Sequence, residues 1–77
     1  MTKQALPSQN GAFRVEIPQN LWGKMLKVDI YNLQGQMIRT VEVKTEGDLP
    51  VFLENKGVFV IIITENEYVY ITKVIVE

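Results

Sequence analysis

Two apolar runs dominate the second half of the chain. Residues 57–63 read Gly-Val-Phe-Val-Ile-Ile-Ile, residues 68–76 read Tyr-Val-Tyr-Ile-Thr-Lys-Val-Ile-Val, and only the polar stretch 64–67 lies between them. Side chains branched at Cβ lose rotamer freedom in a helix and pack well on a pleated surface, so both runs are strands. The short polar link makes them a hairpin, with Asn66 suited to a left-handed turn position. Successive apolar residues point to opposite faces of a strand, so this hairpin is apolar on both faces. Such strands are either covered twice or partly exposed to a partner. The plainer expectation is that margins of a small sheet stay exposed. The second run ends on Glu77, the last residue given. Termini fray unless something holds them, so this ending is expected to matter as a core strand or as a signal.

The rest of the chain supports an all-β reading. Val, Ile and Thr make up 23 of 77 residues, and there are two alanines. Phe13, Val15 and Ile17 alternate with Arg14 and Glu16 until Pro18, which cannot donate to a ladder. Leu26, Val28 and Ile30 alternate with Lys27 and Asp29, with residues 22–25 either opening that strand or forming a short one of their own. Asn32-Leu33-Gln34-Gly35 is expected to be a tight turn, Gly35 taking the left-handed position of a three-residue loop. Met37, Val41 and Val43 are expected to carry the inner face of the next strand, interrupted by Arg39. Glu46-Gly47-Asp48 is expected to turn, Val51 and Leu53 to form a short edge strand beside Pro50, and Gly57 to turn into the first apolar run. Six to seven short strands with turns between them predict an immunoglobulin-like antiparallel β-sandwich, with an open barrel as the alternative. Residues 1–10, polar and with Pro7, are read as a lead-in to a domain spanning 11–77.

Composition narrows the function. The chain has no cysteine and no histidine, which removes disulfides and the common zinc sites. A chain this short buries only about 60% of its unfolded surface, so its 47% hydrophobic content has to carry its stability. Eight basic and nine acidic residues, without a basic stripe, supply no footprint for nucleic acid. The longest apolar run is six residues, against about 20 for a membrane helix. No apolar stretch follows Met1-Thr2-Lys3-Gln4, so no signal peptide is expected there. The chain is then either cytoplasmic or a domain of a longer precursor with Met1 added.

Residues for catalysis are few. Nucleophile–base pairs built on His or Cys cannot form, and the single serine, Ser8, sits in the lead-in. The two aspartates and seven glutamates fall mostly at strand positions facing solvent or in turns. Glu46 and Asp48 fall short of the 6–8 oxygens calcium takes. We therefore expect no enzyme, no catalytic residue, no metal and no cofactor. Trp22, Tyr31, Tyr68 and Tyr70 are candidates for a sugar-binding platform, weighed against ordinary core and cross-strand packing.

Four blocks carry a resemblance. They are Asn10-Gly11-Ala12-Phe13-Arg14-Val15 followed by Ile17-Pro18, then residues 28–38 (Val-Asp-Ile-Tyr-Asn-Leu-Gln-Gly-Gln-Met-Ile), then 57–63, then 72–77. In this order, over about residues 7 to 77, they resemble the type A C-terminal sorting domain of type IX secretion cargo proteins of Bacteroidetes. Where that family usually has Pro-Asn-Pro before the glycine, this chain has Pro7-Ser8-Gln9-Asn10, and where it commonly ends on a basic residue, this chain has Glu77.

The resemblance implies an immunoglobulin-like, non-catalytic secretion signal at the C-terminus of an exported cargo. Its route would be the periplasm, then the outer membrane, cell surface or medium. Its partners would be the upstream cargo domain, the outer-membrane translocon and a sortase-like protease that cuts in the lead-in before Gly11. Lys73, Val74, Ile75, Val76 and Glu77 would be the recognition element, and Gly11, Gly35 and Gly57 structural turns. A homodimer is open to the domain once excised. The reading from another class is an immunoglobulin-like adhesion or carbohydrate-binding module.

Overall fold

A computed structural model describes the backbone of residues 2–4 and all of residues 11–77. The elements are β1 (Thr2–Gln4), β2 (Ala12–Val15), a single 3-10 turn (Gln19–Leu21), β3 (Met25–Asn32), β4 (Met37–Lys44), β5 (Leu49–Phe52), β6 (Gly57–Glu65) and β7 (Tyr68–Val76). The larger sheet has the order β1-β7-β6-β3-β4, and β2 pairs with β5 in a second sheet. All pairings are antiparallel except β1 with β7, which is parallel. The fold is the small all-β sandwich that the alternating pattern predicts. Of the lead-in, only Thr2–Gln4 falls within the described residues, where it adds a short strand; the expected cleavage region before Gly11 lies outside them.

Strand β6 is the centre of the large sheet. Its residues pair with Lys27–Asn32 of β3 on one side and with all of β7 on the other. Phe59, Ile61 and Ile63 face inward beside Leu26, Val28 and Ile30 of β3 and Val74 and Val76 of β7. The second sheet and its flanks cover this face with Phe13, Val15, Ile17, Leu21, Leu49 and Leu53. Each such side chain contributes about 1.5–3 kcal/mol on burial. The core is therefore built between the long strands and the short β2–β5 pair.

Two glycines make the connections possible. Gly11 sits at φ +79, its carbonyl accepts the Leu53 amide at 2.9 Å, and a Cβ there would be driven into the Leu53 carbonyl oxygen. Only a residue without a side chain lets β2 meet the end of β5 so closely. Gly35 sits at φ +84 in the β3–β4 loop. There the Asn32 side-chain oxygen accepts the amides of Gln34 at 3.0 Å and Gln36 at 2.9 Å, and its Nδ2 donates to the Gln36 side chain at 2.8 Å. Asparagine thus holds the loop by bonding its own neighbouring backbone.

Two local expectations are corrected. Residues 22–24 are not strand: after Pro18 the chain makes the 3-10 turn, with the Leu21 amide donating to the Pro18 carbonyl at 2.9 Å, and β3 starts at Met25. Proline's fixed φ suits a turn start, and the turn delivers Leu21 into the core. Met37 does not lie on the inner face. The register shifts between Ile30 and Tyr31, so Met37 pairs with Tyr31 rather than continuing the alternation, and it is half exposed. A bulge of this kind switches the face of every residue beyond it. Val41 does share a face with buried Val28, but it too stays exposed, because β4 is the last strand of the sheet and an open cleft lies between it and β5.

Candidate recognition surface

The terminal hairpin divides cleanly by face. On β7, Val74 pairs with Phe59 and Val76 with Gly57, and both valines are buried in the core. Lys73 pairs with Val60 and Ile75 with Val58, on the opposite face. Glu77 lies just beyond the strand and is exposed. The five residues expected to form a recognition element are thus two anchors and three outward-facing groups.

That outer face is apolar and has no second layer over it among the described residues. Val58, Val60, Ile62 and Ile75 are partly accessible, Ile71 is 36% exposed and Val69 63%. Lys73 stands among them as the exposed charge of β7. A contiguous patch of this kind marks interaction surfaces more often than scattered apolar residues do. The strand edge adds a second feature. Thr2–Gln4 of β1 pair with Ile71–Lys73. Beyond Lys73, no strand among the described residues pairs with Val74–Val76 on the side away from β6.

The other sequence candidates are dispersed. Tyr70 pairs with buried Ile63 and packs against the core, whereas Tyr31 alternates with buried Ile30 and so faces the other way. Trp22 is tied down by its indole Nε1, which donates to the Ile17 carbonyl at 2.9 Å. Tyr68 lies opposite Glu65 at the end of the hairpin and, like Trp22, is nearly half exposed; with Tyr31 and Tyr70 on opposite faces, the four aromatics do not make one platform. Among the described residues no three acidic side chains converge as metal ligands. Lys24, half exposed, and Glu65, its side chain only 13% exposed, approach to 3.9 Å at the hairpin end, a long contact at the limit of an ion pair.

One polar feature escaped the sequence reading. Asp29 is only 8% exposed, although it lies on the outward register of β3, and its carboxylate accepts the Thr40 hydroxyl at 2.6 Å. Cross-strand pairing places Asp29 opposite Thr40 on one side and Ile62 on the other. An alternating pattern reads Asp29 as a solvated strand position; only the register shows the neighbours that shield it.

The sandwich and its outward, apolar terminal hairpin define a small all-β module with an exposed face suited to binding. The chain matches the family model of the secretion system C-terminal sorting domain over residues 7–77, and it belongs to that family. It carries a C-terminal signal of type IX secretion, which directs export toward the outer membrane or cell surface. No curated protein and no solved structure gives a match. The blocks that resemble the family are largely fold determinants here: Gly11 permits the β2–β5 approach, Asn32 and Gly35 make a loop, and Phe59, Ile61 and Ile63 fill the core.

Proposed function

We propose that the signal is read as a folded object, at the outward side of the last strand and at the end of that strand that no described strand covers. Lys73, Ile75 and Glu77 are the groups that a receptor touches, and Val74 and Val76 hold them in place. The outer-membrane translocon is the receptor and binds the domain after the cargo has crossed the periplasm. Strand addition along Val74–Val76 supplies main-chain hydrogen bonds, and the apolar patch around Ile71 and Ile75 supplies side-chain contact. A sortase-like protease then cuts in the lead-in and separates the cargo from the domain. The observation that carries this reading is the division of the terminal segment into buried anchors and outward groups, on a strand end that no described strand pairs on the side away from β6.

The test is a secreted reporter fused ahead of residue 1 in a host with a type IX system. Deleting residues 73–77 should leave the reporter in the periplasm, and so should K73E combined with I75D. The point variants leave the core anchors in place, so circular dichroism of the purified variant should still show a folded sheet. A folded K73E/I75D fusion exported at normal levels would refute recognition at this face.

A further inference from the structure

The opposite margin of the large sheet is formed by the exposed strand β4. Strand β4 ends the sheet, pairs with β3 alone among the described strands, and all but one of its eight residues are exposed. Free edges invite pairing and are normally blunted by bulges, proline or inward-pointing charge. On β4 the bulge and the inward-pointing charge sit in the first half. The register shift lies next to Met37, and Arg39, opposite buried Ile30, turns inward to donate from Nη1 to the Phe52 carbonyl at 3.0 Å. The second half, Val41-Glu42-Val43-Lys44, is regular, with the valines on the inner face and the charges on the outer.

We propose that this half-strand is a self-complementary edge and that its partner is a second copy of the chain. Two antiparallel copies of β4 paired about Val43 place Val43 opposite the partner's Val43. Glu42 then faces the partner's Lys44, and Lys44 faces the partner's Glu42. Directly opposed residues in antiparallel strands share a face and lie about 4.5–5.5 Å apart, close enough for both ion pairs. Neighbouring registers lose this match. Pairing about Glu42 brings two carboxylates together, and pairing about Val41 sets Glu42 against Thr40. The charges therefore select one alignment. They also extend a row already present in each sheet, since Glu42 lies opposite Lys27 on β3.

The layer beneath also favours a second strand. Between β4 and β5 lies an open cleft of about 410 Å³, bounded by Val41, Val43, Leu49, Val51 and Phe52. Phe52 is 51% exposed at its rim. In the paired arrangement, inner-face side chains of the partner's β4 enter the continuation of this cleft, and Phe52 of each copy covers the other's strand. Symmetry makes both contacts isologous. This surface is distinct from the terminal hairpin, so the inference stands independently of how the sorting signal is read.

Sedimentation velocity on the 77-residue chain, from about 10 μM to about 1 mM, tests it, because a short edge interface implies a weak dimer with a dissociation constant on the order of 100 μM. E42K and K44E each oppose like charges twice and should weaken the dimer by roughly tenfold or more. The charge swap E42K/K44E should restore it. Both positions are exposed, and circular dichroism checks that each variant is folded. A wild-type chain that stays monomeric throughout this range, a dimer indifferent to E42K, or a folded double swap that fails to recover would each overturn the proposal.

Discussion

Replacing Gly11 by alanine separates two effects that glycines usually mix. At Gly35, φ is +84 and a Cβ meets nothing within 4 Å. The cost of Gly35→Ala is then conformational alone, about 1–2 kcal/mol for the left-handed geometry. It is reduced by roughly 0.4–1 kcal/mol because alanine also restricts the unfolded chain. At Gly11, φ is similar, +79, but the Cβ would be forced into the Leu53 carbonyl. The backbone has to move, and the bond from the Leu53 amide to the Gly11 carbonyl, 2.9 Å long, is lost or bent. That bond is worth about 1 kcal/mol, and shifting buried Leu53 costs about 1 more. The expected losses are about 1 kcal/mol for Gly35→Ala and about 3 kcal/mol for Gly11→Ala. A domain of 77 residues has a total stability of roughly 4–12 kcal/mol. At about 4–8 °C per kcal/mol, the two variants should melt about 8–16 °C apart. Thermal and urea unfolding followed by circular dichroism reads this directly. Equal destabilisation by the two substitutions would show that the close approach to Leu53 has no energetic role.

Other substitutions probe the remaining contacts. Ile61→Ala empties a site with no solvent exposure on the central strand and should cost about 3–4 kcal/mol in urea unfolding, whereas Val69→Ala, on a residue 63% exposed, should stay within about 0.5 kcal/mol. A double-mutant cycle on Asp29→Ala and Thr40→Val should give a coupling of about 1 kcal/mol, since the hydroxyl–carboxylate bond of 2.6 Å is shielded between strands. Trp22→Phe should cost about 1 kcal/mol through loss of the indole bond to Ile17, and an unchanged stability would mean that this bond is made equally well by water. Native-state hydrogen exchange should be slowest in β6, paired on both sides, and fastest at the outer edge of β4.

Much of this fold could be read from local pattern. The period of two in residues 13–17 and 26–30 and the β-branched-rich runs 58–63 and 68–76 predict strands whose burial the structure repeats, with Ile61, Ile63, Leu26 and Val74 innermost. The Asn32–Gly35 loop was visible because its chemistry is contained in a few neighbouring residues. The errors fell where distant partners decide. Met37 left the inner face through a register shift against Tyr31, and Val41 stayed exposed because it borders an open cleft between β4 and β5. Neither fact has a local signature, since the bulge is a property of a strand pair and the exposure depends on a second sheet.

The sequence by itself determined the class of fold, the absence of thiol and imidazole chemistry, and the family blocks that make the chain a sorting domain. Periodicity, side-chain branching and residue inventory are properties of the chain alone. Only the tertiary structure decided which of the last five residues are anchors and which face outward, because that depends on the register of β7 against β6. It also decided that Asp29 is shielded beside Thr40, and that β4 lies at the sheet margin, paired with β3 alone among the described strands, while β6 lies at its centre. Alternation along a strand fixes two faces but does not say which one meets the core, and a strand's place in the sheet order is set by pairings far away in sequence.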